Sequence, residues 1–486
     1  MIALRKHLLA LGLVLVTSIC TLMPCAAFAS EEEQTIPLVM VVVEFDGGDD
    51  PNAAVRYDTE NNWAEALFGQ NDSPAAYYRD MSAGVFTFVP ANESSVSGAA
   101  DNTNVADREN DGIVHVTLHR PHGAWGAVNV DRAVTKDFAR VVIESLQEAS
   151  SFIDFPSFDA NGDGSLSRDE LAICICVAGY EASAVTDYQR GDIPLLWAHS
   201  GMLSVIDDGI RSIDGLRFEE YIAIAEYYWD ESGPIESAEH EPLGVVYHEL
   251  GHALGLPDLY AVTTTTGPWE GFEVGAMSLM DSGGWQYADD GAGMRNIPTA
   301  LDAWSRYVLG WTQPVIAAKS GDYTVSSQLS GNGYSTLLIP TSDPDEYFLV
   351  ENRQAEGQDI SLNPEYADEV GIVVWHVDNG MYERYYDANC MNDANHRPAV
   401  MDEQADGELL LYDNANDTPD ARVQSGIVLS AGGEQSRDMV VHVEMDNAEA
   451  ARNTLHLLHD AARTDLGTAP EAIVPEIATV LSAVVR

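Results

Sequence analysis

The spacing of hydrophobic positions changes along the chain, and each spacing predicts a different element. Continuous apolar runs rich in β-branched residues are typical of buried strands, as in IPLVMVVVEF, LAICICVAGY and YIAIAEYY. In VDRAVTKDFARVVIESLQEAS, apolar residues recur every three or four positions, which predicts an amphipathic helix. Three further predicted helices are NDSPAAYYRDMSAG (71–84), EPLGVVYHELGHALG and TALDAWSRYVLGW.

After Pro314 the pattern changes to short strand-like runs separated by Gly, Asp and Asn turns, such as GDYTVSSQL, EYFLVENRQ and GIVVWHVD. We therefore predict an α+β protein with a mixed domain over 30–314 and a β-rich module over 315–447. The tail (448–486) is predicted to be helical or partly disordered.

The N-terminus has the features of a secretory signal peptide. Arg5 and Lys6 precede an apolar stretch from Leu8 to Val16, and Ala27-Phe28-Ala29 is a small-x-small cleavage site. We predict cleavage after residue 29 and a secreted, extracellular protein, with an uncleaved anchor as the alternative. No later segment has about 20 continuous apolar residues, so we expect no stable membrane insertion after cleavage.

The charge balance excludes two classes of partner. The chain has 78 Asp plus Glu and 24 Lys plus Arg, a formal net charge of −54. Nucleic acids and anionic membranes both require a basic patch, so neither is an expected partner. A solvated acidic surface and adaptation to a saline or calcium-rich habitat both explain the excess.

Three of the five cysteines follow the predicted signal peptide: Cys174, Cys176 and Cys390. This odd number does not indicate a disulfide framework. Cys174 and Cys176 alternate in a predicted strand, so we expect both to lie buried on the same face. The sequence assigns no role to Cys390.

The segment HELGHALGLPDLY contains candidate metal ligands. On a helix, His248 and His252 are four residues apart, so both imidazoles project from one face toward one ion. Glu249 follows the first histidine and can reach a water activated by the ion, as the general base of amide hydrolysis requires. The motif therefore predicts one catalytic zinc ion.

The third zinc ligand is ambiguous from the spacing. Gly255 permits a left-handed turn after the helix, and Pro257 stiffens the return, so Asp258 can reach the metal. Glu270 and Glu273 are alternative ligands, although their surroundings have poor helix character. Asp258 could also serve as a turn or cap residue.

The twelve residues DANGDGSLSRDE match a calcium-binding loop. Gly164 occupies the position of the sharp turn, and the loop joins a helix to a strand, which favours at least one structural calcium ion rather than a sensor site. The alternative is an Asp/Gly-rich surface turn. The predicted calcium ligands are Asp159, Asn161, Asp163, Ser165, Ser167 and Glu170.

The zinc motif resembles that of the immune inhibitor A family of secreted bacterial metallopeptidases. Other blocks are similar to that family and follow its order, among them SPAAYYRDMSAGVF, LLWAHS, SLMDSGGW, PTALDAWSRYVLGW and YFLVENRQ. The resemblance extends from about residue 36 to residue 407. The family's motif has an aspartate at the position of Asp258.

The resemblance implies a metzincin-like catalytic domain, with a mixed twisted sheet above the active-site helix and a methionine turn below the metal. Met280 matches that methionine, with Met277 as the alternative. Many metzincins have a tyrosine two residues after this methionine, but this chain has Ser282. Tyr287 and His199 are therefore candidates for the missing transition-state stabiliser.

These observations predict a secreted zinc-dependent endopeptidase that acts on protein or peptide substrates. The main alternative is a catalytically inactive, calcium-stabilised extracellular binding protein on a peptidase scaffold. A zinc hydrolase of non-peptide amides is a third reading. The first core strand begins close to the predicted cleavage site, so we do not expect latency through a long prodomain. The sequence indicates neither cleavage specificity nor oligomeric state.

Overall fold

The computed structural model describes residues 33–56, 62–93, 110–128, 131–183, 185–188, 193–203, 212–229, 234–235, 238–269, 273–289, 291, 293–317, 319–362, 370–403 and 405–446. The predicted signal peptide and the predicted tail lie outside these residues. Within them, no helix is both long and apolar enough to cross a membrane.

The described residues form six α-helices and 21 strands. The helices are α1 (Asn62–Phe68), α2 (Pro74–Met81), α3 (Arg132–Ala149), α4 (Leu243–Ala253), α5 (Ala303–Val308) and α6 (Asn379–Tyr385). The first twelve strands are β1 (Gln34–Phe45), β2 (Phe86–Pro90), β3 (Ile113–Leu118), β4 (Ser165–Leu166), β5 (Ala172–Glu181), β6 (Leu195–Leu196), β7 (His199–Met202), β8 (Arg217–Phe218), β9 (Glu220–Tyr228), β10 (Glu239–His240), β11 (Tyr287–Asp289) and β12 (Met294–Asn296). The others are β13 (Val315–Ile316), β14 (Gly321–Ser326), β15 (Leu337–Pro340), β16 (Glu346–Arg353), β17 (Gly371–Asp378), β18 (Val400–Glu403), β19 (Gly407–Tyr412), β20 (Arg422–Gly432) and β21 (Asp438–Met445).

A mixed eight-stranded sheet forms the centre of the first half of the protein. Its main path is β10-β9-β5-β1-β2, with β3 also paired to β1, β6 to β5 and β7 to β9. The pairs β1–β2, β1–β3, β1–β5 and β5–β9 are parallel, whereas β7 and β10 run antiparallel to β9. The apolar runs are continuous because helices cover both faces of the sheet.

Alternate side chains of the central strands enter two hydrophobic cores. Met40 and Val42 pack on the face covered by α4, while Val41 and Val43 pack on the face covered by α3. Cys174 and Cys176 are both buried on the α4 face and both are free thiols, which confirms their predicted placement. The result is a three-layer arrangement in which α4 is fixed against the sheet.

The region after Pro314 folds into two further sheets, β13-β15-β16-β17-β18 and β14-β21-β20-β19. Their facing sides enclose a third core that includes Phe348 and Val441. The opposite face of the five-stranded sheet contributes Leu349 and Trp375 to the core beneath α4. The β-rich region is therefore packed directly onto the half of the protein that carries α4.

Helix α2 is shorter than the pattern over 71–84 predicts. It starts at Pro74 because the Ser73 side chain accepts a hydrogen bond from the Ala76 N–H at 3.1 Å. It ends at Met81, and Ala83 and Gly84 then have positive φ angles of 56° and 84°. These backbone angles reverse the chain into β2 and cannot continue a helix.

Candidate metal centre and active site

Helix α4 presents the two histidines of the motif on one face and ends directly after them. Gly255 has a φ of 87°, the left-handed conformation that glycine adopts without strain. The Leu256 N–H donates to the Gly251 carbonyl at 3.0 Å, which closes the turn. The chain then reverses beside the helix and returns Asp258 to the histidines.

The structure places His248, His252 and Asp258 together. Asp258 Oδ1 lies 3.0 Å from His248 Nε2 and 3.3 Å from His252 Nε2. Among the described residues, these three form the one group of His, Cys, Asp and Glu with ligand atoms within 4.8 Å of one another. Burial would raise the pKa of Asp258, but the two histidines outweigh it and hold that pKa well below its usual range.

The outer nitrogen of each imidazole is fixed by a backbone carbonyl. His248 Nδ1 donates to the Leu279 carbonyl at 2.8 Å, and His252 Nδ1 donates to the Leu256 carbonyl at 2.7 Å. Both Nε2 atoms face Asp258, and because Nδ1 donates to a carbonyl, Nε2 is the nitrogen whose lone pair would bind a metal in each neutral imidazole. Two imidazole nitrogens and one carboxylate oxygen match the donor set of a catalytic zinc ion.

The segment around Met280 supports the helix from below. A Cβ atom at Gly251 would lie only 2.5 Å from Met280 Sδ, so this glycine lets the methionine pack directly under α4. The Met280 carbonyl also accepts a hydrogen bond from the Leu259 N–H at 2.9 Å. Met277 lies differently, since its carbonyl accepts from Nη1 of the buried Arg353 at 2.7 Å.

Asp258 is held by a residue that lies far away in sequence. Asn389 Nδ2 donates to Asp258 Oδ2 at 2.6 Å, and Asn389 Oδ1 accepts from the Asp258 N–H at 2.8 Å. Tyr386 donates its hydroxyl hydrogen to the Gly255 carbonyl at 2.8 Å. The segment that follows α6 in the β-rich region therefore orients the turn that carries the candidate third ligand.

Glu249 lies beside His248 in the wall of a cavity of about 320 Å³. It is 4 % exposed, and its Oε2 atom has no hydrogen-bond partner among the described residues. Burial, helped by the charges of Asp258 and Glu181 and opposed by His248, raises the pKa of Glu249 to about 8. This carboxylate is placed to exchange a proton with a molecule in the cavity.

Tyr260 lines the same cavity, and its ring stacks on His248 with the centroids 6.3 Å apart. Burial and the nearby Asp258 and Glu249 charges raise its pKa well above the usual value, so the hydroxyl remains a proton donor. Tyr287 lines a different cavity. His199 is buried, with its ring nitrogens bonded to the Trp197 carbonyl and the Tyr221 hydroxyl.

The alternative third ligands do not join the cluster. Glu273 is exposed at the cavity wall. Among the described residues, it is not part of any group of metal ligands. Glu270 lies outside the described residues. Ser282 lines the cavity, and its N–H donates to the side chain of Asp281 at 2.6 Å.

The predicted calcium loop folds back on itself. Glu170 Oε1 accepts from the Ala160 and Asn161 N–H groups at 3.0 and 3.2 Å, and Glu170 Oε2 accepts from the Ser167 hydroxyl at 3.0 Å. Gly162 and Gly164 adopt positive φ angles of 73° and 78°. No three acidic side chains of the described loop bring their oxygen atoms within 4.8 Å of one another. The calcium site therefore remains a prediction.

Other predicted calcium ligands also accept hydrogen bonds from inside the loop. Asp159 Oδ2 accepts from the Gly164 N–H at 3.0 Å, and Asp163 Oδ1 accepts from the Ser165 N–H at 2.8 Å. Asn161 Oδ1 accepts from the Asp163 N–H at 2.8 Å. Ser165 also starts β4, which pairs with β8 and ties the loop to the domain.

The sequence patterns did not identify Asn389, Tyr386 or Tyr260 as site residues. Asn389 and Tyr386 are each 131 residues from their partners in the metal-binding turn, and no local spacing reports such a contact. Asn389 has a φ of 48°, a conformation in which asparagine is common, but this angle is known only from the structure. Tyr260 is the last residue of the segment HELGHALGLPDLY, so its place close to the metal ligands in sequence was a signal for its role.

Two histidines and a carboxylate beside a buried glutamate form the donor arrangement that metallohydrolases use. The family model of the immune inhibitor A peptidase M6 catalytic domain matches residues 70–312, half of the chain. The chain belongs to this family, which confirms the resemblance seen in the sequence.

Two individual proteins are also similar. Immune inhibitor A from Bacillus thuringiensis subsp. alesti is 30% identical over 162 residues, which are 32% of this chain and 21% of that protein. A crystal structure of catalytically inactive OgpA from Akkermansia muciniphila, in complex with an O-glycopeptide substrate (glycodrosocin), matches with a TM-score of 0.28 and 12% identity. That match covers 73% of this chain and 92% of the other, and it is too distant to bear on fold or substrate.

Proposed function

We propose that the protein is a secreted zinc-dependent endopeptidase. The observation that carries the proposal is the convergence of His248, His252 and Asp258 beside the cavity that Glu249 lines. Family membership supports the peptidase class, and the N-terminal pattern of Arg5, Lys6 and the apolar stretch supports secretion.

His248, His252 and Asp258 would hold the zinc ion. When bound, zinc would polarise the scissile carbonyl and lower the pKa of a water molecule. The hydrogen bonds from both Nδ1 atoms to backbone carbonyls keep the histidines oriented before any metal arrives. Asn389 does the same for the aspartate.

Glu249 would act first as a general base and then as a general acid. Its buried carboxylate accepts a proton from the attacking water and passes it to the amine that leaves the peptide. The position of Glu249 next to His248, in the wall of the cavity, supports this role.

Tyr260 would stabilise the negative charge that develops on the carbonyl oxygen. Its hydroxyl remains protonated, and the residue lines the same cavity as Glu249 and His248. A fixed donor in a site that excludes water stabilises an oxyanion more strongly than water does. We therefore assign to Tyr260 the role for which the sequence suggested Tyr287 or His199.

We further propose that the loop from Asp159 to Glu170 binds one structural calcium ion. The supporting observation is that Gly162 and Gly164 adopt positive φ angles and that the Asp159 carboxylate accepts hydrogen bonds from both of their N–H groups.

Release of peptides from casein tests the enzymatic proposal. The zinc-loaded protein should release peptides, and a chelator or Glu249→Ala should abolish the release. Glu239→Ala, an exposed glutamate on β10, is the matched control and should retain activity. Stoichiometric zinc binding without turnover of any protein would contradict the enzyme and favour the alternative of an inactive binding protein.

A further inference from the structure

The cavity beside the metal-ligand cluster is acidic. Among the described residues, its lining includes the carboxylates of Glu181, Glu249, Glu273 and Asp281 and no lysine or arginine. Its volume of about 320 Å³ is at the small end of ligand pockets, which suits one long side chain rather than a large molecule. We refer to it as the acidic cavity.

The acidic groups in this cavity differ in their surroundings. Asp281 is held by its own turn, because its carboxylate accepts from the Val274, Gly275 and Ser282 N–H groups. Glu273 is exposed. Glu181, at the end of β5, is 1 % exposed and is therefore the deep carboxylate that a ligand would meet in addition to Glu249.

Glu241 is a second buried carboxylate close to Glu181 and Glu249. The residue has no exposed surface, and neither carboxylate oxygen has a hydrogen-bond partner among the described residues. Burial, followed by the charges of Glu181 and Glu249, raises its pKa well above the usual value. An unpaired buried carboxylate is costly, and it attracts either a proton or a nearby cation.

Backbone N–H groups hold Glu181 in position. Its carboxylate accepts from the Ser183 N–H at 3.0 Å and from the Ala198 N–H at 3.0 and 3.3 Å. These bonds fix the carboxylate but supply no positive charge.

We propose that the acidic cavity binds a cationic side chain, arginine or lysine, of the substrate residue next to the scissile bond. Glu181 makes the contact. Charge-assisted hydrogen bonds from a guanidinium or ammonium group are strong in a buried site. The residue must adjoin the scissile bond because His248 and Glu249 belong to the same cavity wall. This inference rests on the proposed peptidase function.

Matched fluorogenic peptides test the inference. Each carries arginine, its neutral isostere citrulline, or glutamate on one side of the cleaved bond, and a second set varies the other side. For the wild-type protein we expect kcat/KM to be at least tenfold higher for arginine than for citrulline in one of the sets, and lowest for glutamate. Glu181→Gln should reduce the arginine-to-citrulline ratio toward one, whereas Glu239→Gln on the exposed β10 should leave it unchanged.

Binding provides a readout that does not depend on turnover. Calorimetry with zinc-loaded Glu249→Ala should give a lower Kd for the arginine peptide than for the citrulline peptide. Equal rates and equal Kd values for the two peptides would overturn the inference, as would a tenfold ratio that persists in Glu181→Gln. If Glu181→Gln does not fold, the wild-type ratio decides. Arginine-selective binding without cleavage of any peptide would support the proposed role of the acidic cavity and contradict the proposed peptidase function.

Discussion

Asn389 and Asp258 form a reciprocal pair of hydrogen bonds across the two halves of the protein. The amide nitrogen of Asn389 donates to the carboxylate of Asp258 at 2.6 Å, and the amide oxygen accepts from the Asp258 N–H at 2.8 Å. The pair fixes both the side chain and the backbone of the candidate third ligand. Oxygen Oδ1 is left to face the histidines.

Asn389→Gly should weaken zinc binding by about 10- to 100-fold, the usual cost of losing a residue that orients a metal ligand. Glycine keeps the positive φ of 48° without strain, so the change isolates the side chain. Chelator competition measures the zinc Kd. Asn416→Gly, in an exposed turn, is the control, and an unchanged Kd in Asn389→Gly would contradict the orienting role.

Asp258→Ala should lose the zinc ion and all peptidase activity, because one of three protein ligands is removed. Glu270→Ala and Glu273→Ala should both bind one zinc ion per chain. The zinc content of each variant, measured by metal analysis after dialysis, distinguishes Asp258→Ala from the two glutamate variants. Full zinc content and activity in Asp258→Ala would show that the ligand assignment is wrong, even if the protein is a peptidase.

Tyr260→Phe should lower kcat by about 10²- to 10³-fold, the range observed when one oxyanion donor is removed. KM and zinc content should change little. The competing explanation is that Tyr260 acts only through Asp258, whose charge affects its hydroxyl. In that case the zinc Kd would rise while the zinc-saturated enzyme kept its kcat. Tyr287→Phe, in the other cavity, is the matched control.

His376 should stabilise the fold most strongly at acidic pH. Its buried ring lies 2.8 Å from Glu346 and 3.1 Å from Glu403. Burial alone would lower its pKa, but the two carboxylates outweigh this and raise it. The stabilisation is therefore complete below the unfolded pKa of about 6.5 and is lost as pH rises through the higher folded value.

The measurement is the difference in Tm between the wild type and His376→Gln at pH 6 and pH 9. We expect a larger difference at pH 6, where loss of the buried pair costs about 3–5 kcal/mol. His442→Gln removes a solvent-exposed contact with Asp322 and should change Tm little at either pH. A larger His376→Gln effect at pH 9 would contradict the sign of the shift.

Calcium should raise Tm through the loop from Asp159 to Glu170. An ion that binds only the folded state adds about 2.7 kcal/mol at one hundred times its Kd. Asp159→Ala should remove the increase, whereas Asp169→Asn, in the same loop but not at a ligand position, should retain it. Calorimetric titration without heat, together with an unchanged Tm, would exclude this site.

The parts of the site that depend on local spacing could be predicted from the sequence. His248 and Asp258 are only ten residues apart, and helix periodicity with a glycine turn is enough to bring them together. The alternating Cys174 and Cys176 could be assigned to one face of the sheet for the same reason. Each of these inferences needs only the geometry of one element and its end.

The remaining features depend on contacts between elements that are distant in sequence. Asn389 reaches Asp258, and Arg353 reaches the Met277 carbonyl, only after the β-rich region packs beneath α4. Neither side chain belongs to a periodic pattern. The burial of Glu241 could not be predicted from the sequence either, since it depends on how the strands before α4 assemble. The pattern over 71–84 predicts a longer helix than the structure has, because Ser73 caps its start and the positive φ angles of Ala83 and Gly84 end it.

The link between Asp258 and Asn389 has a consequence for the order in which the protein matures. The aspartate is synthesised 131 residues before the asparagine that orients it, and the two histidines come earlier still. A growing chain therefore carries its metal ligands for a considerable length without the group that holds the third one in place. Although its ligands come from the middle of the chain, the site is completed only when a much later segment has folded against it.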